Sequence, residues 1–133
     1  MRRDAREAAY KILYAGHFND NTSEDFRKEI FTEQKLSEND IAFAEKLLDT
    51  IAENGEEIDS IISSYSKGYK IERLYVTDKC ALTLAVAELK YFDDIPPVVS
   101  IDEALYLVRK YSAYESLNFV NGVLAALKKD MEG

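Results

Sequence analysis

The sequence predicts an all-α protein, a single-domain bundle of about seven helices over residues 1–133. Three observations carry that expectation. Apolar residues recur at the 3.6-residue helical period along nearly the whole chain. No pair of segments shows the alternation of partnered strands. Gly and Pro are scarce, 5 and 2 of 133, which disfavours loop-rich and all-β architectures. At 47% hydrophobic and 32% charged the composition is globular, and the length supports one sizeable core.

Residues 2–18 place Ala5, Ala8, Ala9, Ile12, Leu13 and Gly16 on one arc. Residues 24–34 form a shorter amphipathic helix around Phe26, Ile30 and Phe31, after a polar linker at 19–24. Ser37 with Asp40 resembles a capping box and opens a helix carrying Ile41, Phe43, Ala44, Leu47, Leu48 and Ile51, which ends near Asn54-Gly55. Residues 56–66 carry Ile58, Ile61, Ile62 and Tyr65, and 67–76 reads as a loop or short helix. Thr77 is a candidate N-cap for 78–92, a segment apolar on nearly all sides and therefore a central, buried helix. Pro96-Pro97 breaks the chain. Ser100 with Glu103 reads as a second capping box, opening a helix through Tyr111. Glu115 or Ser116 starts the last one, with Phe119, Val120, Val123, Leu124 and Leu127 inward.

Composition excludes several functions. One Cys (Cys80) and one His (His17) rule out an internal disulfide, a multi-thiolate zinc site and a multi-histidine metal site. There is no Gly-rich phosphate loop and no carboxylate pair at a recognisable catalytic spacing. No catalytic residue, metal or cofactor is expected. No apolar run approaches a membrane span and the basic start lacks a signal core, so a cytoplasmic location is expected. The net charge of −8 argues against nucleic acid, but it is uneven. Residues 20–59 hold 13 acids and 4 bases, whereas residues 1–19 are net +2 and residues 60–133 net −1. A local basic face, rather than net charge, is what captures phosphates.

Three places ask for more than packing. Arg2, Arg3 and Arg6 oppose the dipole at a helix start, each at a cost of about 0.3–1 kcal/mol. Arg2 and Arg6 share a stripe, Arg3, Tyr10 and Tyr14 lie on the same flank, and Asp4, Glu7 and Lys11 fall on the outer face. Arginines beside tyrosines suit phosphate contact and base stacking. The plainer alternative is a solvated end with a local Arg3–Glu7 pair. In the last helix Asn118, Asn121, Gly122 and Ala125 form a small, amide-bearing stripe opposite the apolar side, suited to an external partner or to a closely packed neighbouring helix. Finally, Tyr65, Tyr69, Tyr75, Tyr106, Tyr111 and Tyr114 cluster in the C-terminal half, where tyrosines serve interfaces or amphipathic core edges.

The chain resembles the NusB family of bacterial transcription antitermination factors. RRDAREAAYKILY (Arg2 to Tyr14) is similar to the family's Arg-rich first helix. IPPVVSIDEALYLVRKY (Ile95 to Tyr111) is similar to its Pro-containing turn and following helix. ESLNFVNGVLAAL (Glu115 to Leu127) carries its Phe-Val-Asn-Gly-Val-Leu signature, and Glu88-Leu89 also matches. Thr83, Ala87, Asp102, Asn118 and Ala125 depart from the common pattern; the lost basic positions bear on RNA affinity.

The resemblance implies an all-helical, non-enzymatic protein. It would pair with ribosomal protein NusE, bind boxA RNA of nascent ribosomal RNA leaders, and join other Nus factors on RNA polymerase to suppress premature termination. By motif match Arg2, Arg3 and Arg6 would contact RNA phosphates, with Tyr114, Glu115, Ser116, Asn118 and Phe119 near the same face; the stripe reading of the last helix adds Asn121 and Gly122 as RNA-binding candidates. Tyr14, Phe18 and the surface from Glu72 to Lys79 would face NusE. The alternative is a helical protein–protein adaptor without direct RNA binding. A third, lower-ranked reading is the homologous domain of some RNA methyltransferases, since these 133 residues hold no catalytic domain beside it. Monomer or homodimer is left open.

Overall fold

The computed structural model describes residues 1–18 and 23–133, and the linker expected at 19–24 falls mostly outside them. Among the described residues there are seven α-helices and no strand. They are α1 (Arg2–Phe18), α2 (Glu24–Glu33), α3 (Glu38–Glu53), α4 (Gly55–Tyr65), α5 (Val76–Tyr91), α6 (Pro97–Tyr111) and α7 (Ser116–Glu132), with one 3₁₀ turn, Ile71–Arg73, between α4 and α5.

α5 is the axis of the bundle. Cys80, Ala81, Leu82, Leu84, Ala85, Val86, Ala87 and Leu89 are all buried, because α1, α3, α4, α6 and α7 pack around it. A helix without a polar stripe has no side to give to water. Burial pushes the Cys80 thiol up to about 12, which leaves it protonated and unreactive. Among the described residues no helix is long and apolar enough to cross a membrane.

The caps are mixed. Ser37 accepts from the Asp40 backbone N–H at 3.2 Å, but the Asp40 carboxylate turns to the Met1 amine at 2.6 Å instead of closing the box. Ser23 caps α2 through Phe26. Two expected caps are corrected. α5 begins at Val76, ahead of Thr77, and the Thr77 hydroxyl meets Ser112 at 2.9 Å. α6 begins at Pro97, because a proline in the first helical position has its φ already set and lacks an amide that would go unbonded. Ser100 is therefore inside the helix, and its hydroxyl donates to buried Glu88 at 2.8 Å.

α1 and α6 run side by side in the same direction. Arg3, in the first turn of α1, meets Glu103 midway along α6, and Tyr10 stacks on Tyr111 further along, with ring centroids 5.2 Å apart. This pairing sets the two ends at which the candidate site residues lie.

Candidate nucleic-acid interface

The three N-terminal arginines occupy three different environments. Arg6 is corrected outright. It is 5% exposed, and its guanidinium grips Glu88 of α5 in two parallel hydrogen bonds of 2.7 and 2.9 Å. Glu88 is 1% exposed and takes a further bond from Ser100. Buried charges are tolerated only when paired and hydrogen-bonded in this way. Arg6 thus positions α1 on α5 and offers no phosphate-facing group. Arg3 is half exposed, but Glu103 holds it by Nε (3.2 Å) and Nη2 (2.8 Å). Its guanidinium lies 4.2 Å above the Tyr106 ring. The local Arg3–Glu7 pair does not form, since Arg3 turns to α6. Arg2 is the most available of the three, 51% exposed, with only a loose 3.8 Å pair to an exposed Asp94.

Glu7 is also corrected, from the outer face to the α1–α6 seam, where Lys110 donates to it at 2.6 Å and the Tyr111 hydroxyl donates as well. Burial pushes the Glu7 carboxyl up, but the two donors and the neighbouring lysine charges prevail and hold it below its ordinary value. Burial and the bond to Glu7 push Tyr111 up to about 12, so it stays a donor. Lys110, raised mainly by its bond to Glu7, remains at the surface between Tyr106 and Tyr111, at 6.0 and 5.5 Å from their ring centroids. Arg3, Tyr106, Lys110 and Tyr111 therefore alternate cation and ring along the seam.

The start of α7 forms a second station. Tyr114 is 85% exposed, and Glu115 is exposed beside it. Phe119 meets Tyr69 edge to face at 5.5 Å. These rings, with Arg73, Leu74, Tyr75 and Glu115, line an open cleft of about 340 Å³. Ser116 is corrected: it is buried, and its hydroxyl donates to the buried Asp78 carboxylate at 2.7 Å while Ser112 donates to the other oxygen at 2.5 Å. Ser116 thus fastens the start of α7 to α5 and does not reach outward.

Asn118, Asn121, Gly122 and Ala125 are all exposed. A Cβ on Gly122 would meet no atom within 4 Å, which rules out the packed-helix alternative for this stripe. Gly122→Ala is expected to raise stability by up to about 1 kcal/mol through helix propensity. Gly122→Leu should melt no lower than wild type; a sharp fall in melting temperature would mean that the stripe is not open.

The residues expected on the partner side divide. Tyr14 and Phe18 come together, ring centroids 5.0 Å apart, and with Tyr75, Val76, Tyr111 and Ala113 line an apolar groove of about 360 Å³. Glu72 is exposed on the 3₁₀ turn next to Arg73, and Lys79 is half-buried in α5. Tyr75 borders both this groove and the α7 cleft.

Arg2 and Arg3 do not sit beside Tyr114 and Phe119. Glu103, which holds Arg3, and Tyr111 are eight residues apart on α6, about 12 Å along its axis. Of the residues between the stations and in the cleft, the sequence does not single out Lys110, names Tyr69 and Tyr106 only within the tyrosine cluster, and puts Arg73 within the Glu72–Lys79 surface expected on the partner side. The partners of Tyr106, Lys110 and Tyr69, namely Arg3, Glu7 and Phe119, are remote along the chain, so local pattern does not bring them together.

The NusB family model matches residues 3–129. A transcription antitermination protein NusB from Methylacidiphilum infernorum is 40% identical over 134 residues, covering 97% of this chain and 91% of its own. Another from Acetivibrio thermocellus is 36% identical, covering 96% and 88%. The fold is similar to a crystal structure of antitermination factors NusB and NusE in complex with dsRNA. The TM-score is 0.87 at 34% identity, covering 97% of this chain and 96% of that one.

Proposed function

The chain belongs to the NusB family, and on that premise we propose that it is a transcription antitermination factor. It binds boxA RNA of nascent ribosomal RNA leaders together with ribosomal protein NusE. With other Nus factors on RNA polymerase it opposes premature termination. The role is one of binding rather than catalysis, and the setting is the cytoplasm.

The observation that carries the reading is the pair of solvent-facing stations at the two ends of the α1–α6 seam, Arg2 and Arg3 at one and Phe119, Tyr69 and Arg73 at the other. Each puts at least one cation beside aromatic rings, the combination by which single strands are held without sequence-wide base readout. The fold it shares with a NusB that has been crystallised with NusE and dsRNA supports it. Arg3 and Lys110 are partly neutralised by Glu103 and Glu7, so the chain alone binds RNA weakly. A basic partner on the Tyr14–Phe18 groove adds phosphate contacts, and the acidic stretch 20–59 attracts it.

The test is equilibrium binding of a boxA-like single strand across a salt series, with and without NusE. The double variant Arg2→Ala/Arg3→Ala should fold normally and lose up to about 1.4 from the log–log salt slope, at about 0.7 per phosphate contact. An unchanged slope would make both arginines bystanders. No RNA binding even with NusE would favour the protein-only adaptor.

A further inference from the structure

At the end where α1 begins, α1, α3 and the α5–α6 turn enclose a groove of about 450 Å³ that is separate from the α7 cleft. Its floor is two buried rings, Phe43 of α3 and Phe92 just after α5, edge to face with centroids 5.8 Å apart. Each ring carries a cation. The Arg2 guanidinium sits 4.4 Å from the Phe43 centroid, and Lys46 Nζ sits 4.8 Å from that of Phe92.

The carboxylates nearby do not neutralise these two charges. Asp40 is taken by the Met1 amine at 2.6 Å. Asp94 is exposed and 3.8 Å from Arg2, a pair of little energetic worth in water. Asp49, one turn beyond Lys46, pairs with Arg27. Lys46 forms no ion pair among the described residues, and it is the single basic residue of α3, a helix otherwise rich in acids. This lone cation of α3 lines the same groove as Arg2, and its contact with the Phe92 ring leaves its charge without a carboxylate partner among the described residues.

We propose that this groove is a phosphate site that extends the RNA track past the start of α1, with Lys46 gripping the next phosphate of the strand beyond the one that Arg2 holds. The inference rests on the RNA-binding reading above. Continuity favours RNA over an acidic peptide: Arg2 is the immediate neighbour of Arg3, so a strand lying on the seam crosses the first turn of α1 and arrives in the groove. The buried rings fix the cations in place without themselves being offered to a base, so the site takes backbone and not sequence.

The experiment uses the full chain with NusE and three single strands: a boxA-like core, the same core extended by a few nucleotides at its 5′ end, and the core extended at its 3′ end. One of the two extensions should tighten wild-type binding. Lys46→Gln should cancel that gain, a loss of about tenfold or more for one charge-assisted contact, and lower the salt slope by about 0.7. It should leave affinity for the core strand and the melting temperature unchanged. If neither extension tightens binding, or if Lys46→Gln binds the extended strand as wild type does, the groove is not on the RNA track. If the core strand itself fails to bind wild type, the RNA reading fails first, and this inference with it.

Discussion

Arg6→Ala is expected to cost about 3–5 kcal/mol of folding stability, the usual consequence of leaving a buried charge without its partner. The guanidinium makes two of the three hydrogen bonds to Glu88, a carboxylate 1% exposed at the centre of the bundle. Without it, Ser100 alone faces that charge. For a domain of this size the melting temperature should fall by roughly 10–20 °C. Arg6→Lys should recover only part of the loss, since an ammonium cannot reproduce the two parallel bonds. Arg6→Leu with Glu88→Leu should recover most of it, because apolar groups of similar volume commonly replace a buried pair at little cost. That double variant also separates structure from RNA contact. Its salt slope for RNA should equal that of wild type, whereas a lower slope would return Arg6 to the phosphate-binding set. Arg6→Ala melting within a degree or two of wild type would show that Glu88 is not held by this pair.

The second large effect is on binding. Phe119→Ala should weaken RNA by about 1–3 kcal/mol, the range for losing one stacked base, with the salt slope unchanged because no counterion-releasing contact is removed. Phe119→Tyr should restore much of the affinity. Phe119 is only partly buried and leans on Tyr69 at the rim of the cleft, so the variant should remain folded and keep its affinity for NusE. A fall in slope with little fall in affinity would mean that the cleft works through Arg73 rather than through its rings. Arg2→Ala/Arg3→Ala and Phe119→Ala thus give opposite signatures, one electrostatic and one not.

Periodicity and composition determined the architecture. The run from Cys80 to Leu89, apolar on nearly all sides, identified the central helix, since such a segment has no face to expose. The apolar arcs of α1, α3 and α7 identified their buried sides, and the Phe119–Leu124 signature with the Arg-rich start identified the family. The opposite position of Gly122 on its helix also read correctly as a face away from the core, though only the structure separated open solvent from a neighbouring helix.

What the tertiary structure decided was depth and pairing. On a wheel Arg2 and Arg6 share one stripe, yet Arg2 is half in water and Arg6 is sealed against Glu88, 82 residues away. Glu7, assigned outward by the same wheel, turned inward to Lys110, 103 residues away. Ser100, read as a cap, lies inside α6, and Ser116, which does begin α7, turns inward; both satisfy buried carboxylates of α5. Helical period is a local property and fixes only direction around an axis. Whether a charge in that direction stays in water depends on whether a counter-charge arrives from another helix, because an unpaired buried ion costs several kcal/mol and a paired one far less.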